Sequence, residues 1–389
     1  MTFVHTHPAT RIVAGPGALS QLGDLCDRMG TRRAMVVCGS TVATGPQLAA
    51  VREALGSRLV EVFEGVRPHA GISSLRSGAD LVLSSGIDVL VSIGGGATMD
   101  SAKCIALLLA QREPLERYRV TRGATGHVEG EPLPQTITHV AVPTTAGSSS
   151  EIMPWAGIRD EQTRQKMLFR DPNLVPDIAI LDPQVVAHTG PELTSSSAVT
   201  ALARAVESLY SRDRQPFAEA YALQSLRLMA PALPSVLADP WDLGARHATQ
   251  VAATLSGIAA DNAMVSVVHA VGHTVGGRYA LQHGVAHRML LPGAMERCLP
   301  GTGDIQLRMA QALDIPTDGL TPDQAGRAVA ERIGDLLDKL PLPRRLRDVG
   351  VTEDELEDLV SHSYADPMFA HSPPWMGEEE LRSLVHEVW

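Results

Sequence analysis

Between residues 33 and 183, short apolar runs alternate with segments of helical spacing. RAMVVCG (33–39), LVEVFEGV (59–66), DVLVSIGGG (88–96), HVAVPTTAGSSSE (139–151) and DIAILDP (177–183) each begin as a buried strand. SLRSGADLVLSSG (74–86) has helical spacing and closes on a glycine. Strands that alternate with helices predict a parallel α/β sheet. From about residue 190 the pattern changes to successive helices with few strand candidates. Two domains are therefore expected: an α/β domain over 1–186 and an all-α domain over 187–389. The polar stretch TRGATGHVEGEPLPQT (121–136) reads as an exposed loop.

A chain of 389 residues is long enough for a sizeable core in two or three domains. Its formal net charge of -11 leaves no basic surface for phosphates, which argues against nucleic acid or an acidic membrane as partner. Cys26, Cys38, Cys104 and Cys298 are scattered and form no CxxC pair, so no disulfide framework is expected. MTFVHTHPATRIV lacks the basic start and apolar run of a signal peptide, and no apolar run reaches transmembrane length. A cytoplasmic protein is the simplest expectation.

Three stretches carry candidate chemistry. GGGATMDSAK (94–103) follows a strand and opens a helix, so backbone N–H groups can approach a phosphate at a helix N-terminus. Its spacing is not GxGxxG, and a glycine-rich turn alone is equally a tight turn. PTTAGSSSE (143–151) crowds hydroxyls at the end of a strand, where open α/β sheets bind ligands; alone it is equally a polar loop. In NAMVSVVHAVGHTVGG (262–277) apolar residues cover most of one expected helix, ended by Gly276 and Gly277. Asn262, Ser266, His269 and His273 fall on one narrow stripe of it, and QHGVAH brings His283 back towards it. A polar stripe on a buried helix must find partners or face a wet cavity, so this stripe reads as part of an active site.

Together these motifs resemble the iron-containing alcohol dehydrogenase family, and within it the maleylacetate reductase branch. GGGATMDSAK resembles the family's GGGSxxDxAK, PTTAGSSSE its PTTxGTGSE, and HAVGH followed by QHG its HxxxH and HG elements. FVHTHPATRIVAGPGAL and RDPNLVPDIAILDP resemble the reductase branch in particular. The resemblance implies a dinucleotide-binding α/β domain and a helical domain, the dehydroquinate synthase-like fold. It assigns the cofactor to Gly39, Ser40, Gly94, Gly95, Gly96, Thr98, Asp100, Lys103, Thr144, Thr145 and Ser148. In the family an Asp and a His four apart on one helix hold a metal with two further histidines. The latter two correspond to His269 and His283, and His273 to a histidine close to the nicotinamide.

The chain departs from the family at the first pair. AVTALARAVE (198–207) stands where the family has GxDALxHAIE, which places Thr200 at the Asp position and Arg204 at the His position. Ala198, Val199, Leu202, Val206 and Leu209 form the apolar face of this helix; Thr200, Arg204 and Glu207 share another, which by itself reads as solvated. Two histidines make a poor Fe²⁺ or Zn²⁺ site, and a guanidinium repels a dication and cannot become a ligand. No metal is expected. The expected activity is an NADPH- or NADH-dependent reduction of a small carbonyl or unsaturated oxo-acid. Arg204 takes the metal's electrostatic role or clamps a substrate carboxylate, and His273 handles the proton. His269 and His283 contact the substrate oxygen. Gly39, where NAD-preferring relatives often carry Asp, leaves room for a 2′-phosphate, with Ser40 and Thr41 as donors. A metal-dependent dehydrogenase with ligands from elsewhere, a non-redox enzyme on the same fold and a catalytically silent nucleotide binder are the alternatives. A homodimer is admitted but not required.

Overall fold

In the computed structural model the described residues are 2–7, 9–66, 71–110, 120, 135–159 and 166–389. The chain divides into two compact units, Pro8–His188 and Met1–His7 together with Thr189–Trp389. The loop expected at 121–136 lies outside the described residues apart from Gln135 and Thr136.

The first unit holds strands β1 (Arg11–Ala14), β2 (Ala34–Gly39), β3 (Leu59–Val66), β4 (Val89–Gly94), β5 (Thr138–Pro143), β6 (Trp155–Arg159), β7 (Lys166–Arg170) and β8 (Ile178–Leu181). Six of them form one sheet in the order β1-β8-β5-β4-β2-β3, every neighbouring pair parallel. The interleaved helices are α1 (Leu22–Met29), α2 (Ser40–Ala43), α3 (Pro46–Leu55), α4 (Ile72–Ser84), α5 (Gly96–Ala110) and α6 (Pro183–Val186).

The period-2 alternation of the strands separates two cores. Ala34, Val36 and Cys38 of β2 join Val89, Val91 and Ile93 of β4 on one face, packed with residues of α1 and α3. Met35, Val37 and Leu90 point to the other face, against Leu75, Ala79 and Ile105 of α4 and α5. All five strands read from the apolar runs are present. Two features carry no such pattern. β1 is an edge strand with mostly exposed side chains, and β6 and β7 form a separate antiparallel hairpin.

One buried polar pair crosses this sheet. Ser92 Oγ of β4 lies 2.8 Å from His139 Nε2 of β5, and the Asp177 carboxylate accepts the His139 amide at 2.9 Å.

The second unit is helical: α7 (Pro191–Tyr210), α8 (Pro216–Ala238), α9 (Leu243–Ala263), α10 (Val267–Tyr279), α11 (His283–Cys298), α12 (Gly303–Ala312), α13 (Pro322–Asp338), α14 (Leu356–Tyr364) and α15 (Glu378–Glu387). The N-terminal residues belong here and not, as expected from 1–186, with the α/β unit. His5 stacks on Phe217 at 4.8 Å, and Thr6 exchanges two backbone hydrogen bonds with the Asn262 amide. The single helix expected over 262–277 is two. α9 ends at Ala263, Met264 takes φ 61°, and α10 leaves at 106° to α9. α10 also runs through Gly276 and Gly277 to Tyr279. Among the described residues no single helix is long and apolar enough to cross a membrane.

Burial drives the proton affinity of His139 down, to about 3 from 6.5, with the Lys103 charge contributing in the same direction. The unfolded chain therefore takes up this proton first. The stabilisation is complete above about pH 6.5 and is lost as the pH falls towards 3. In His139→Gln the acid limb of a urea-denaturation pH profile should be shallower by one proton, about 1.4 kcal/mol per pH unit. An unchanged slope would mean that His139 is not held neutral by the fold.

Candidate active site

The helical unit gathers its polar chemistry around α7. Ala198, Val199, Leu202, Val206 and Leu209 are buried, as the apolar face requires. The opposite face is not solvated. Thr200 and Arg204 are half-buried, and Glu207 is only 2% exposed. A helical wheel locates this face but does not reveal that α10 and α11 cover it.

Glu207 is buried because α10 starts at it. Its Oε1 accepts from Ser266 N at 3.1 Å, Ser266 Oγ at 2.9 Å and Val268 N at 2.7 Å. These amides belong to the first turn of α10, whose donors have no partner within the helix. Ser266, at the N-cap, makes no side-chain cap of its own, so a carboxylate from another helix does this work. The other oxygen, Oε2, pairs with His269 Nδ1. Burial pushes the Glu207 carboxyl up to about 7, against the opposing pull of its hydrogen bonds.

Four imidazoles cluster beside it. Ring centroids are 4.2 Å apart for His269 and His287, 5.4 Å for His273 and His283, 6.0 Å for His283 and His287, and 6.3 Å for His269 and His273. Two glycines make this possible. A Cβ on Gly284 would lie 1.7 Å from the Ser196 carbonyl oxygen, so α11 starts directly against the backbone of α7. A Cβ on Gly272 would lie 2.6 Å from His287 Nε2, so the missing side chain on α10 is the slot that holds this ring.

The imidazoles fall into two pairs. His269 and His287 are buried, and burial, then neighbouring positive and imidazole groups including Arg204, holds both far below the ordinary histidine range. His273 and His283 are half-buried and accessible. His273 Nδ1 lies 3.1 Å from Asp366 Oδ2, the carboxylate whose other oxygen caps Met368 N.

Of the stripe read from the sequence, His269 and His273 stay together. Ser266 becomes the cap position, and Asn262 turns away to the N-terminal segment. Glu207, His287 and Asp366 were given no role by sequence reasoning. The four-residue spacing of His283 and His287 could have flagged the second. Nothing in the sequence pairs Asp366 with a residue 93 positions away.

In the α/β unit the three glycines have unequal environments. A Cβ at Gly94 would strike Thr98 Oγ1 at 2.2 Å, and one at Gly96 would lie 2.8 Å from Ser148 Cβ. At Gly95 the nearest protein atoms are those of Thr145 at 3.6 Å, an ordinary contact. Gly95 thus leaves space beside the N-terminus of α5, as a cofactor phosphate would need. Thr98 and Thr144 are buried, Thr144 N donates to Gly94 O at 2.9 Å, and Thr145 and Ser148 are half-buried. Gly39 closes β2 in extended conformation with exposed Ser40 after it.

Lys103 departs from the expected cofactor contact. It is fully buried, and its Nζ donates to Ser150 Oγ at 2.9 Å, Met153 O at 2.7 Å and Trp155 O at 2.9 Å. An ammonium has three protons, and all three are used inside the protein. Asp100 accepts from Ser150 Oγ at 2.8 Å and Gly157 N at 3.3 Å. The pair ties α5 to the segment leading into β6.

The donor set does not fit a metal ion. Thr200 Oγ1 donates to Ser196 O at 3.1 Å and Arg204 is a permanent cation, so two of the family's four ligand positions offer a dication neither a carboxylate nor an imidazole. Among the described residues no three His, Cys, Asp or Glu side chains are grouped to hold one.

Comparison with known proteins agrees with this architecture. Residues 9–183 match the iron-containing alcohol dehydrogenase family and residues 194–389 match the C-terminal region of the same family. The 1,3-propanediol dehydrogenase of Citrobacter freundii is 30% identical over 381 residues, 96% of each chain. A crystal structure of a 1,3-propanediol oxidoreductase superposes with a TM-score of 0.93 at 27% identity, covering 100% of both chains. Maleylacetate reductase from Agrobacterium tumefaciens superposes with a TM-score of 0.79 at 26% identity, covering 100% of this chain and 98% of that one. On fold, motifs and similarity along the whole chain, this protein belongs to the iron-containing alcohol dehydrogenase family and is a nicotinamide-linked oxidoreductase.

Proposed function

We propose that the protein is an NAD(P)H-dependent reductase of a small carbonyl or unsaturated oxo-acid substrate and that it works without a metal ion. The observation that carries this reading is Arg204, a permanent cation standing at the family's ligand position beside His269 and His287, which burial first and this charge in addition keep neutral. Gly95, Thr145 and Ser148 would hold the cofactor phosphates, and Gly39 with Ser40 would meet the ribose, where the lack of a carboxylate tolerates a 2′-phosphate. Bound there, the cofactor supplies a hydride. Reduction leaves negative charge on the substrate oxygen. Arg204 stabilises that charge as a fixed cation, the electrostatic role a Lewis acid fills elsewhere. Its planar fork also suits a substrate carboxylate. His273 delivers the proton, and Asp366 holds its Nδ1 so that Nε2 faces the reaction.

Gly95→Val should weaken NAD(P)H binding by at least tenfold in a titration followed by cofactor fluorescence, while thermal stability stays near that of the wild type. Unchanged affinity in the folded variant would put the phosphates elsewhere. His273→Ala should lower kcat by about 10²–10⁴-fold with little change in cofactor affinity. Full turnover would leave His273 as a packing residue.

Metal dependence is tested on the wild type. Elemental analysis should find no stoichiometric iron or zinc, and activity in a carbonyl and oxo-acid screen should survive EDTA. Thr200→Asp with Arg204→His should gain metal affinity and lose the natural activity. Stoichiometric metal in the wild type, lost together with activity on chelation, would refute the proposal.

A further inference from the structure

Three nitrogen atoms at the centre of the imidazole cluster are buried and meet no hydrogen-bond partner among the described residues: His269 Nε2, His287 Nδ1 and His287 Nε2. Their side chains are 3% and 0% exposed and their rings lie 4.2 Å apart, tilted by 47°. Buried polar atoms are nearly always satisfied, so three orphans in one place mark a position for a polar guest.

The chemistry of that guest follows from Glu207. A neutral imidazole has one N–H and one lone pair. The Glu207 carboxylate already accepts three donors on Oε1 and faces His269 Nδ1 with Oε2. When ionised it accepts the single N–H of His269 at Nδ1, which leaves Nε2 as a bare lone pair. His287, also neutral, has one N–H to give in either tautomer. The guest must therefore donate to His269 and accept from His287. A carbonyl oxygen only accepts and an ammonium only donates. A hydroxyl does both.

We infer that Glu207 is a positioning residue that locks His269 in its Nδ1–H tautomer and so creates, with His287, a buried site for a hydroxyl group. The hydroxyl belongs either to the alcohol form of the substrate or to a water molecule. The first case rests on the function proposed above and refines it: His269 then binds the product alcohol and does not donate to the carbonyl, a task left to Arg204 and His273. In the bound alcohol the O–H is directed at His269 Nε2. In oxidation hydride passes from the carbon to the oxidised cofactor, and the hydroxyl proton passes to His273, the group that supplies it in reduction. In reduction the newly formed O–H points the same way. No net proton is stored on His269 in either direction.

The test is Glu207→Gln, which keeps an oxygen for the α10 amides but turns an N–H₂ towards His269. The imidazole must then accept at Nδ1 and carry its proton on Nε2, reversing the polarity of the site. Histidine side-chain ¹⁵N NMR at pH 9, above the raised carboxyl value of about 7, should show Nδ1–H for His269 in the wild type and Nε2–H in the variant. With cofactor bound, trifluoroethanol, which carries a hydroxyl donor, should bind the variant about tenfold more weakly. Dimethyl sulfoxide, an acceptor only, should bind no more weakly than before. An Nε2–H tautomer in the wild type overturns the lock, and this spectrum is decisive even if the variant fails to fold. A tautomer that Glu207→Gln leaves unchanged overturns it as well. Equal weakening of both probes makes Glu207 a purely structural residue and overturns the site. A reversed tautomer with unaltered trifluoroethanol affinity assigns the hydroxyl to water. The lock then stands, and it is the placement of His269 at the substrate oxygen that falls.

Discussion

The helical unit is organised by one carboxylate that caps a helix it does not belong to. Glu207 lies on α7 and satisfies the first turn of α10. The chain breaks sharply at Met264 and restarts at Val267, which leaves amide donors inside the protein where water cannot serve them. Each unsatisfied donor would cost about 1–3 kcal/mol. Desolvating a carboxylate is also costly, and the raised proton affinity of Glu207 records that cost. The hydrogen bonds between them offset part of both penalties, because each group answers the other. The 106° bend is therefore stable, and His269 and His273 leave it in a fixed direction.

The same helix sets the charge of the site. Arg204 and Glu207 are three residues apart, close enough to have paired with each other along α7. Instead Glu207 is committed to α10 and His269, and the guanidinium lies near imidazoles that stay neutral. The cluster thus combines the Arg204 cation and neutral imidazoles with the carboxylates of Glu207 and Asp366.

Legibility in the sequence followed burial. β2, β4, β5 and β8 announce themselves because a strand covered on both faces must be a largely continuous apolar run, and the edge strand β3 because LVEVFEGV is rich in β-branched and aromatic residues. β1 does not, since RIVA at an exposed edge has no such constraint. The break before α10 was hidden for a related reason. AMVSVV is apolar without glycine or proline, and Met264 adopts a positive φ that its residue type does not advertise. His269, His273 and His283 were legible as a group because several histidines on one buried stretch need a purpose. Glu207 was visible only as a polar position on a wheel. Its burial, like the pairing of Asp366 with His273, depends on tertiary neighbours remote in sequence. Lys103 was misread for the opposite reason: a motif suggested a ligand contact, and the fold had already used every proton on its amine.

That buried amine has a practical side. The chain has only three lysines, Lys103, Lys166 and Lys339, and Lys339 is exposed. An acylating reagent added to the folded protein meets Lys339 at once. It reaches Lys103 only if the carbonyls of Met153 and Trp155 let go of the ammonium. Lys103 is therefore an intrinsic clock for the opening of the segment that flanks the glycine turn, readable by mass spectrometry without an introduced label, with Lys339 as the internal standard for reagent activity.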